Sequence, residues 1–276
     1  MQRPFSTPAY RYPNEQLILF LTLSLAFLVI AFTAAATLCG SVLFVVIALG
    51  MASSSSRAHH QALMQRAHRV TPQRTPALAS IARQCTARLQ PGPVEIFVTL
   101  SRALNAYTFG LSDPKVVVLY SSLFDVMDED ELRFILGHEL GHVRLGHTRL
   151  NSMLGGMAGI PASSSASAIL VMAFLSWNRA CEYSADRAGL LACGRPEKAI
   201  SALIKLVAGP QGLTRPGLEL AYRQIDAEDD TILGSLGEAL GSHPLLIKRI
   251  NQIRKYAATE EYRRLQGLVN QNLGDK

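Results

Sequence analysis

The strongest constraint on the fold of this chain is an uncharged segment near its beginning. Residues 17–52 contain no charged side chain over 36 positions, whereas the apolar core of a signal peptide is only about 7–15 residues long. A single helix of that length would measure about 54 Å, against a hydrocarbon layer of about 30 Å. We therefore predict a transmembrane segment that forms a hairpin with its bend at residues 34–41; one long tilted helix is the alternative.

The positive charge of the chain lies beside this segment. Residues 1–94 hold eight Lys or Arg residues and one acidic residue, Glu15, whereas residues 95–276 hold 19 basic and 20 acidic residues. Because basic residues mark the cytoplasmic flank of membrane helices, we expect the domain after the segment to be cytoplasmic. The basic flank lacks interleaved aromatic residues and any recognition motif, so we expect anionic lipid headgroups as its partner and no nucleic acid.

Composition divides the rest of the chain into recognisable parts. Three short β-branched or aromatic runs predict a small antiparallel sheet, and the remainder has helical periodicity, so the predicted class is α+β, mostly α. A second uncharged stretch, residues 152–177, is either an additional membrane-associating segment or a buried helix. The predicted parts are an N-terminal tail (1–16), the transmembrane segment (17–52), a basic juxtamembrane linker or helix (53–90) and the main domain (91–276), with strands at 94–100, 103–110 and 115–120.

The chemistry of the main domain is concentrated in the motif HExxH. A helix is predicted around it, because Asp128 can act as an N-cap with Glu131 as its capping-box partner. His138 and His142 then lie one turn apart on the same face, where both imidazoles can bind one Zn²⁺ ion. Glu139 lies beside them and can act on the water that occupies the open position of the metal.

A third protein ligand is needed for a catalytic zinc site of this kind. His147 lies on the opposite side of a continuous helix from His138, so we interpret it as a cap of the last helical turn near Gly146. Glu182 is the better candidate, because it lies on a separate predicted helix with Asp186 one turn further on. Asp186 is predicted to accept a hydrogen bond from a zinc-binding histidine and thereby to orient its ring.

Two residues near the end of the chain are further candidates. His243, followed by proline, opens a predicted helix, and Arg249 lies on the second turn of that helix. One hypothesis places both in the cleft, where they stabilise the oxyanion of a tetrahedral intermediate. The alternative is a helix cap at His243 and a structural ion pair at Arg249.

With these residues the sequence resembles the HtpX-like membrane-anchored zinc metallopeptidases, a gluzincin family related to the CaaX prenyl proteases. The resemblance extends over about half of the chain and includes the HExxH helix, the helix of Glu182 and the region of His243. It implies Glu139 as general base, Glu182 as third zinc ligand and His243 near the metal. It also implies an edge strand at Asn105, Ala106 and Tyr107, along which an extended peptide substrate adds.

These observations together predict an integral membrane protein with a cytoplasmic catalytic domain and one Zn²⁺ ion per chain. The predicted activity is that of an endopeptidase that hydrolyses peptide bonds of protein or peptide substrates with a zinc-activated water. Two alternatives remain open at this stage: a latent or inactive zinc protein that acts as a membrane-bound binding or quality-control module, and a CaaX-type processing protease. The oligomeric state is not predicted.

Overall fold

The computed structural model describes residues 7–36, 40–154, 165–208 and 246–274. Within these ranges the chain is mostly helical with one small sheet, which confirms the predicted α+β class. The helices are α1 (Glu15–Ala36), α2 (Gly40–Arg66), α3 (Pro76–Leu89), α4 (Ser122–Val126), α5 (Glu129–Leu145), α6 (His147–Leu154), α7 (Ser165–Cys193), α8 (Pro196–Ala208), α9 (Leu246–Ala257) and α10 (Glu260–Gly274); the strands are β1 (His68–Arg69), β2 (Val94–Thr99), β3 (Ala106–Phe109) and β4 (Lys115–Tyr120).

The sheet is mixed, with the strand order β1-β2-β4-β3. β1 and β3 pair antiparallel with their neighbours, but β2 and β4 run parallel, with Val94 opposite Lys115. The prediction of an antiparallel sheet is therefore wrong for the central pair. Strand-like runs in a sequence do not reveal spatial order, and here the chain forms the edge strand β3 before it returns to the centre. β4 is buried along most of its length, as a central strand requires.

The two faces of the sheet contact different helices. Val117 and Leu119 join the main core with α5, whereas Val116 and Val118 lie in a second cluster with Leu63 from α2. This division follows from the alternation of side chains along a strand. Residues 53–90 were expected to be a basic juxtamembrane linker or helix. Their first part is helical: it continues α2 as far as Arg66, and Leu63 packs against the sheet.

Both predicted boundaries of the HExxH helix are confirmed. At its start, Asp128 accepts from the backbone N–H of Glu131, whose side chain in turn accepts from the backbone N–H of Asp128. At its end, Gly146 adopts a φ of 84°, the left-handed conformation that glycine tolerates without strain. Glu131 also accepts hydrogen bonds of 2.6 Å from Ser201 and Lys205, which tie α5 to α8.

Helices α5 and α7 approach closely because glycine and alanine alternate across their contact. A Cβ atom placed on Gly137 would lie 2.4 Å from the Cβ of Ala192, and one on Gly141 would lie 2.6 Å from the Cβ of Ala188. Carbon atoms in contact are normally about 3.5–4.0 Å apart. Side chains at the two glycines would therefore push the helices apart.

The segment before α1 is built into the main domain over residues 7–14, which contradicts the prediction of a separate tail. Tyr10 is fully buried in the main core. The Arg11 guanidinium donates to the carbonyl of Leu145 at the end of α5 (3.2 Å), and Tyr12 N–H donates to Ser184 Oγ on α7 (2.7 Å). The aromatic and arginine side chains of residues 7–14 therefore contact residues of the main domain that lie far away in the sequence.

Helix α1 is long and apolar enough to cross a membrane, by length and composition, over Glu15–Ala34 with a mean hydropathy of 2.6. It is the one such helix among the described residues. Residues 37–39, which separate α1 from α2, fall inside the predicted bend and lie outside the described residues.

Helix α7 runs antiparallel to α1, because Tyr12 contacts Ser184 whereas Thr22 donates to the carbonyl of Ala173 (3.3 Å). It begins at Ser165 and carries Glu182 and Asp186 in its second half. Part of the second uncharged stretch therefore forms the first half of α7 beside α1, and its residues 155–164 lie outside the described residues.

Candidate metal centre

Three buried side chains from α5 and α7 converge on one point. His138 Nε2 lies 3.2 Å from His142 Nε2, and the Glu182 carboxylate oxygens lie 3.5 Å from His138 Nε2 and 3.4 Å from His142 Nε2. The helical turn between the two histidines and the tight contact of α5 with α7 produce this arrangement. All three residues are at most 8% exposed.

These spacings fit a tetrahedral zinc ion. Ligand bonds of about 2.0–2.1 Å at the tetrahedral angle separate neighbouring donor atoms by about 3.3 Å, close to the 3.2–3.5 Å observed here. Burial alone would raise the pKa of Glu182, but the two histidine rings that face it and the Arg249 guanidinium hold this pKa well below its usual range. Two imidazoles and a carboxylate are also the donor set that suits zinc with an open position.

The Nδ1 atom of His138 faces a charged pair behind the metal centre. It lies 3.0 Å from Asp186 Oδ1, and Asp186 in turn accepts hydrogen bonds of 2.9 and 2.5 Å from the Arg249 guanidinium. Burial alone would lower the pKa of His138, but the hydrogen bonds to Asp186 and Glu182 raise it to about 10. The predicted contact between Asp186 and a histidine of the motif is thus present.

Arg249 is held by two carboxylates, and it also lines the cavity beside the three donors. Besides Asp186, its Nη1 atom lies 3.3 Å from Glu182 Oε2. The ion pair expected in one alternative is present, and because Arg249 also lines the cavity, its role toward an oxyanion stays a prediction. His243 lies outside the described residues, and its role stays a prediction.

His142 is supported by a longer chain of buried groups. Its Nδ1 atom lies 3.1 Å from His147 Nδ1, and His147 Nε2 lies 3.0 Å from Glu15 Oε1. Burial lowers the pKa of His147 to about 4, so its ring is neutral at pH 7. The interpretation of His147 as a helix cap is wrong: Gly146 ends α5, and the turn that follows brings the ring of His147 back to His142.

Glu15 is linked to the metal centre through His147, and the sequence analysis assigned it no role in the site. Its carboxylate accepts hydrogen bonds from Arg11 and from Ser184 Oγ, besides the one from His147. The available signal was that Glu15 is the one acidic residue among the first 94. An acidic group beside a membrane segment is costly and often functional.

A cavity of about 220 Å³ opens over the three donors. Glu139 lies on its wall, 7% exposed, and burial raises the pKa of its carboxyl group. Four apolar residues form another part of the wall: Phe134, Ile135, Leu203 and Leu206. The last two come from α8, a helix to which the sequence analysis assigned no role in the site.

The edge strand β3 runs along this cavity, and Asn105, Ala106, Tyr107 and Thr108 line it. Tyr120 N–H donates to the carbonyl of Asn105 (3.1 Å), and Ala106 lies opposite Leu119. In such an antiparallel ladder the bonded pairs recur every second residue. The backbone groups of Ala106 and Thr108 therefore point away from β4. Because Ala106 N–H donates to Asn105 Oδ1 (2.9 Å), an added strand could bond to the carbonyl of Ala106 and to the N–H and carbonyl of Thr108.

Comparison with known proteins identifies relatives that match parts of this chain. Peptidase family M48 matches residues 69–257. The plastoglobule-localized metallopeptidase 48 of Arabidopsis thaliana is 30% identical over 185 residues, which are 62% of this chain and 54% of the relative's length. A protease HtpX homolog of Kineococcus radiotolerans is 28% identical over 67% of this chain and 76% of its own length. A CAAX prenyl protease 1 homolog of Dictyostelium discoideum is 45% identical over 51 residues, 18% of this chain and 12% of its own.

Proposed function

The chain belongs to peptidase family M48, and we propose that it is a membrane-anchored, zinc-dependent endopeptidase. The observation that carries this proposal is the spacing of the donor atoms of His138, His142 and Glu182, at 3.2–3.5 Å from one another. These residues would hold one zinc ion per chain. Zinc bound there would polarise the scissile carbonyl and lower the pKa of a water molecule to about 7.

Glu139 is the general base of the proposed reaction. It follows His138 directly in the chain and lines the same cavity as the three donors. Burial raises the pKa of its carboxyl group, which makes the carboxylate a better proton acceptor than an exposed glutamate. It takes a proton from the attacking water and passes that proton to the leaving amine.

The substrate is proposed to bind as an extended strand along β3. The outward carbonyl of Ala106 and the outward N–H and carbonyl of Thr108 can pair with a peptide main chain that lies over the cavity. The apolar wall formed by Phe134, Ile135, Leu203 and Leu206 would receive an apolar side chain next to the scissile bond. Intact donors and an intact Glu139 favour an enzyme over a binding module.

The chain is proposed to enter and leave the membrane on the same side. Residues 7–14 are packed into the peptidase domain, so they share a side of the membrane with the residues after Arg66. Such a chain crosses the bilayer an even number of times, which supports the hairpin over one tilted helix. The basic flank then assigns the domain to the cytoplasm.

Cys39, within the predicted bend, tests this topology. A membrane-impermeant maleimide applied to intact cells should label it, whereas the described cysteines Cys85, Cys181 and Cys193 are buried. A Cys39→Ser variant serves as control. Labelling of Cys39 that requires permeabilised cells would contradict the hairpin.

Glu139→Gln tests the enzymatic proposal. The full chain, purified in detergent as wild type and variant, is assayed for bound zinc and for casein hydrolysis. We expect zinc in both proteins and hydrolysis by the wild type alone, because glutamine cannot accept the proton. A wild type without zinc, or a variant with unchanged hydrolysis, would refute the proposal.

A further inference from the structure

We propose that Glu15 and His147 are positioning residues of the metal centre, through which the docking of helix α1 sets the affinity of the site for zinc. The inference rests on the proposed zinc site. It assigns a role to two buried residues that the peptidase mechanism does not otherwise use. Neither residue touches the proposed metal; both act through His142.

The hydrogen bonds from His142 through His147 to Glu15 can all be assigned in one direction. His142 presents Nε2 to the other donors, so its hydrogen is on Nδ1 and is donated to His147 Nδ1 at 3.1 Å. His147 therefore carries its own hydrogen on Nε2, which lies 3.0 Å from Glu15 Oε1. Each donor meets an acceptor, and the chain ends on a carboxylate. Such partners fix the tautomer and orientation of a zinc-binding imidazole and raise its basicity.

Glu15 is held rigidly enough to act as the end of this chain. It is 1% exposed, and its carboxylate is paired with Arg11 and accepts from Ser184 Oγ. Arg11 also donates to Leu145 O, and Tyr12 N–H donates to Ser184 Oγ at 2.7 Å. These contacts attach the first turn of α1 to both helices that carry the zinc donors.

The two histidines of the motif thus differ in their support. His138 contacts Asp186 directly, and both residues belong to the α5–α7 pair. His142 reaches its carboxylate through a second imidazole, and that carboxylate belongs to the membrane helix. Displacement of the N-terminus of α1 would leave His147 without its acceptor and His142 without a fixed ring.

Zinc affinity and the docking of α1 are therefore linked, and linkage is reciprocal. Bound zinc should protect the segment around Arg11 and Tyr12 from hydrogen exchange. Loss of the Glu15 contact should in turn weaken zinc binding. A purely structural role of Glu15 would change overall stability without changing the affinity of the folded protein for zinc.

The test compares zinc dissociation constants of the full detergent-purified chain, measured by competition with a chromophoric chelator. His147→Leu removes the acceptor for His142, and we expect weakening of about 10–100-fold. Glu15→Gln keeps the shape of the side chain but removes the charge, and a smaller loss is expected. His147→Asn should retain more affinity than the leucine variant, because its side-chain oxygen can replace Nδ1 as acceptor.

Controls separate this inference from the proposed zinc site. Glu95→Gln breaks an ion pair with Arg69 (2.9 Å) away from the centre and should leave zinc affinity unchanged. A wild type that binds no zinc refutes the proposed function itself. Circular dichroism shows which His147 variant folds. If the wild type binds zinc, and Glu15→Gln and that His147 variant bind zinc with the same affinity as the wild type, the positioning role alone is overturned.

The number of zinc ions bound per chain distinguishes the positioning role from a second metal site. The ligand atoms of Glu15, His147 and Cys181 lie within 4.8 Å of one another and could hold a metal of their own. One zinc per wild-type chain supports the positioning role. Two zinc ions per chain, with one lost in the Glu15 and His147 variants, would overturn it in favour of a second metal site.

Discussion

Gly141→Ala should weaken zinc binding although alanine is the better helix former. The added Cβ would lie 2.6 Å from the Cβ of Ala188, against a normal contact of about 3.5–4.0 Å. Helices α5 and α7 must then separate by roughly 1 Å at this point. His138 and His142 lie on α5 and Glu182 on α7, so the same shift acts directly on the zinc geometry, which tolerates about ±0.2 Å.

The expected result is a loss of zinc affinity of at least about tenfold, equivalent to about 1.4 kcal/mol. The free energy of unfolding should change as well, and two opposing contributions set its direction. Overpacking costs about 1–3 kcal/mol, whereas replacement of a helical glycine by alanine contributes up to about 1 kcal/mol. Chelator competition measures the affinity, and urea denaturation of the metal-free protein measures the free energy of unfolding.

Two matched variants decide whether the helix contact is the cause. Gly267 lies in α10, and a Cβ atom placed on it would have nothing within 4 Å, so Gly267→Ala should stabilise the fold and leave zinc affinity unchanged. Gly141→Ala combined with Ala188→Gly moves the methyl group across the contact and should restore zinc binding. Equal zinc affinity of Gly141→Ala and Gly267→Ala would refute the reasoning.

Two further predictions concern the proton at the metal centre and the edge strand. Because the pKa of His138 is raised to about 10, its ring is protonated in the metal-free protein at neutral pH, and zinc must displace that proton. Apparent zinc affinity should therefore rise about tenfold per pH unit between pH 7 and 9 in chelator competition; a flat profile would count against this pKa. Thr108→Pro removes an N–H that points away from β4 and should raise KM for a peptide substrate at unchanged zinc affinity. An unaltered KM would exclude this backbone contact.

Local sequence signals were sufficient for the centre of the site. The capping box at Asp128, the helical period and the spacing of His138 and His142 are all properties of one helix, so their geometry follows from the chain itself. The assignment of Glu182 needed a second helix, and the residue that the family resemblance implied is the one that lies beside both histidines. The class of the fold followed from the same periodicities.

Spatial order and long-range contacts were not accessible in this way. Three strand-like runs have the same appearance whether β4 lies at the edge or in the centre of the sheet, so the parallel β2–β4 pair was missed. His147 was judged on the assumption of a continuous helix, which Gly146 interrupts. Residues 7–14 look like a polar tail because their partners, Leu145 and Ser184, are more than 130 positions away.

The sequence by itself determined which groups the centre offers, because the spacing of His138 and His142 on one helix places two imidazoles on one face, with the Glu139 carboxylate beside them. Only the tertiary structure decided what supports that face. The contact between α5 and α7 sets the distance from Glu182 to both histidines, and the turn at Gly146 connects His142 through His147 to Glu15. Chemical identity is a local property of the chain, whereas the position and tautomer of each donor depend on residues that only folding brings into contact.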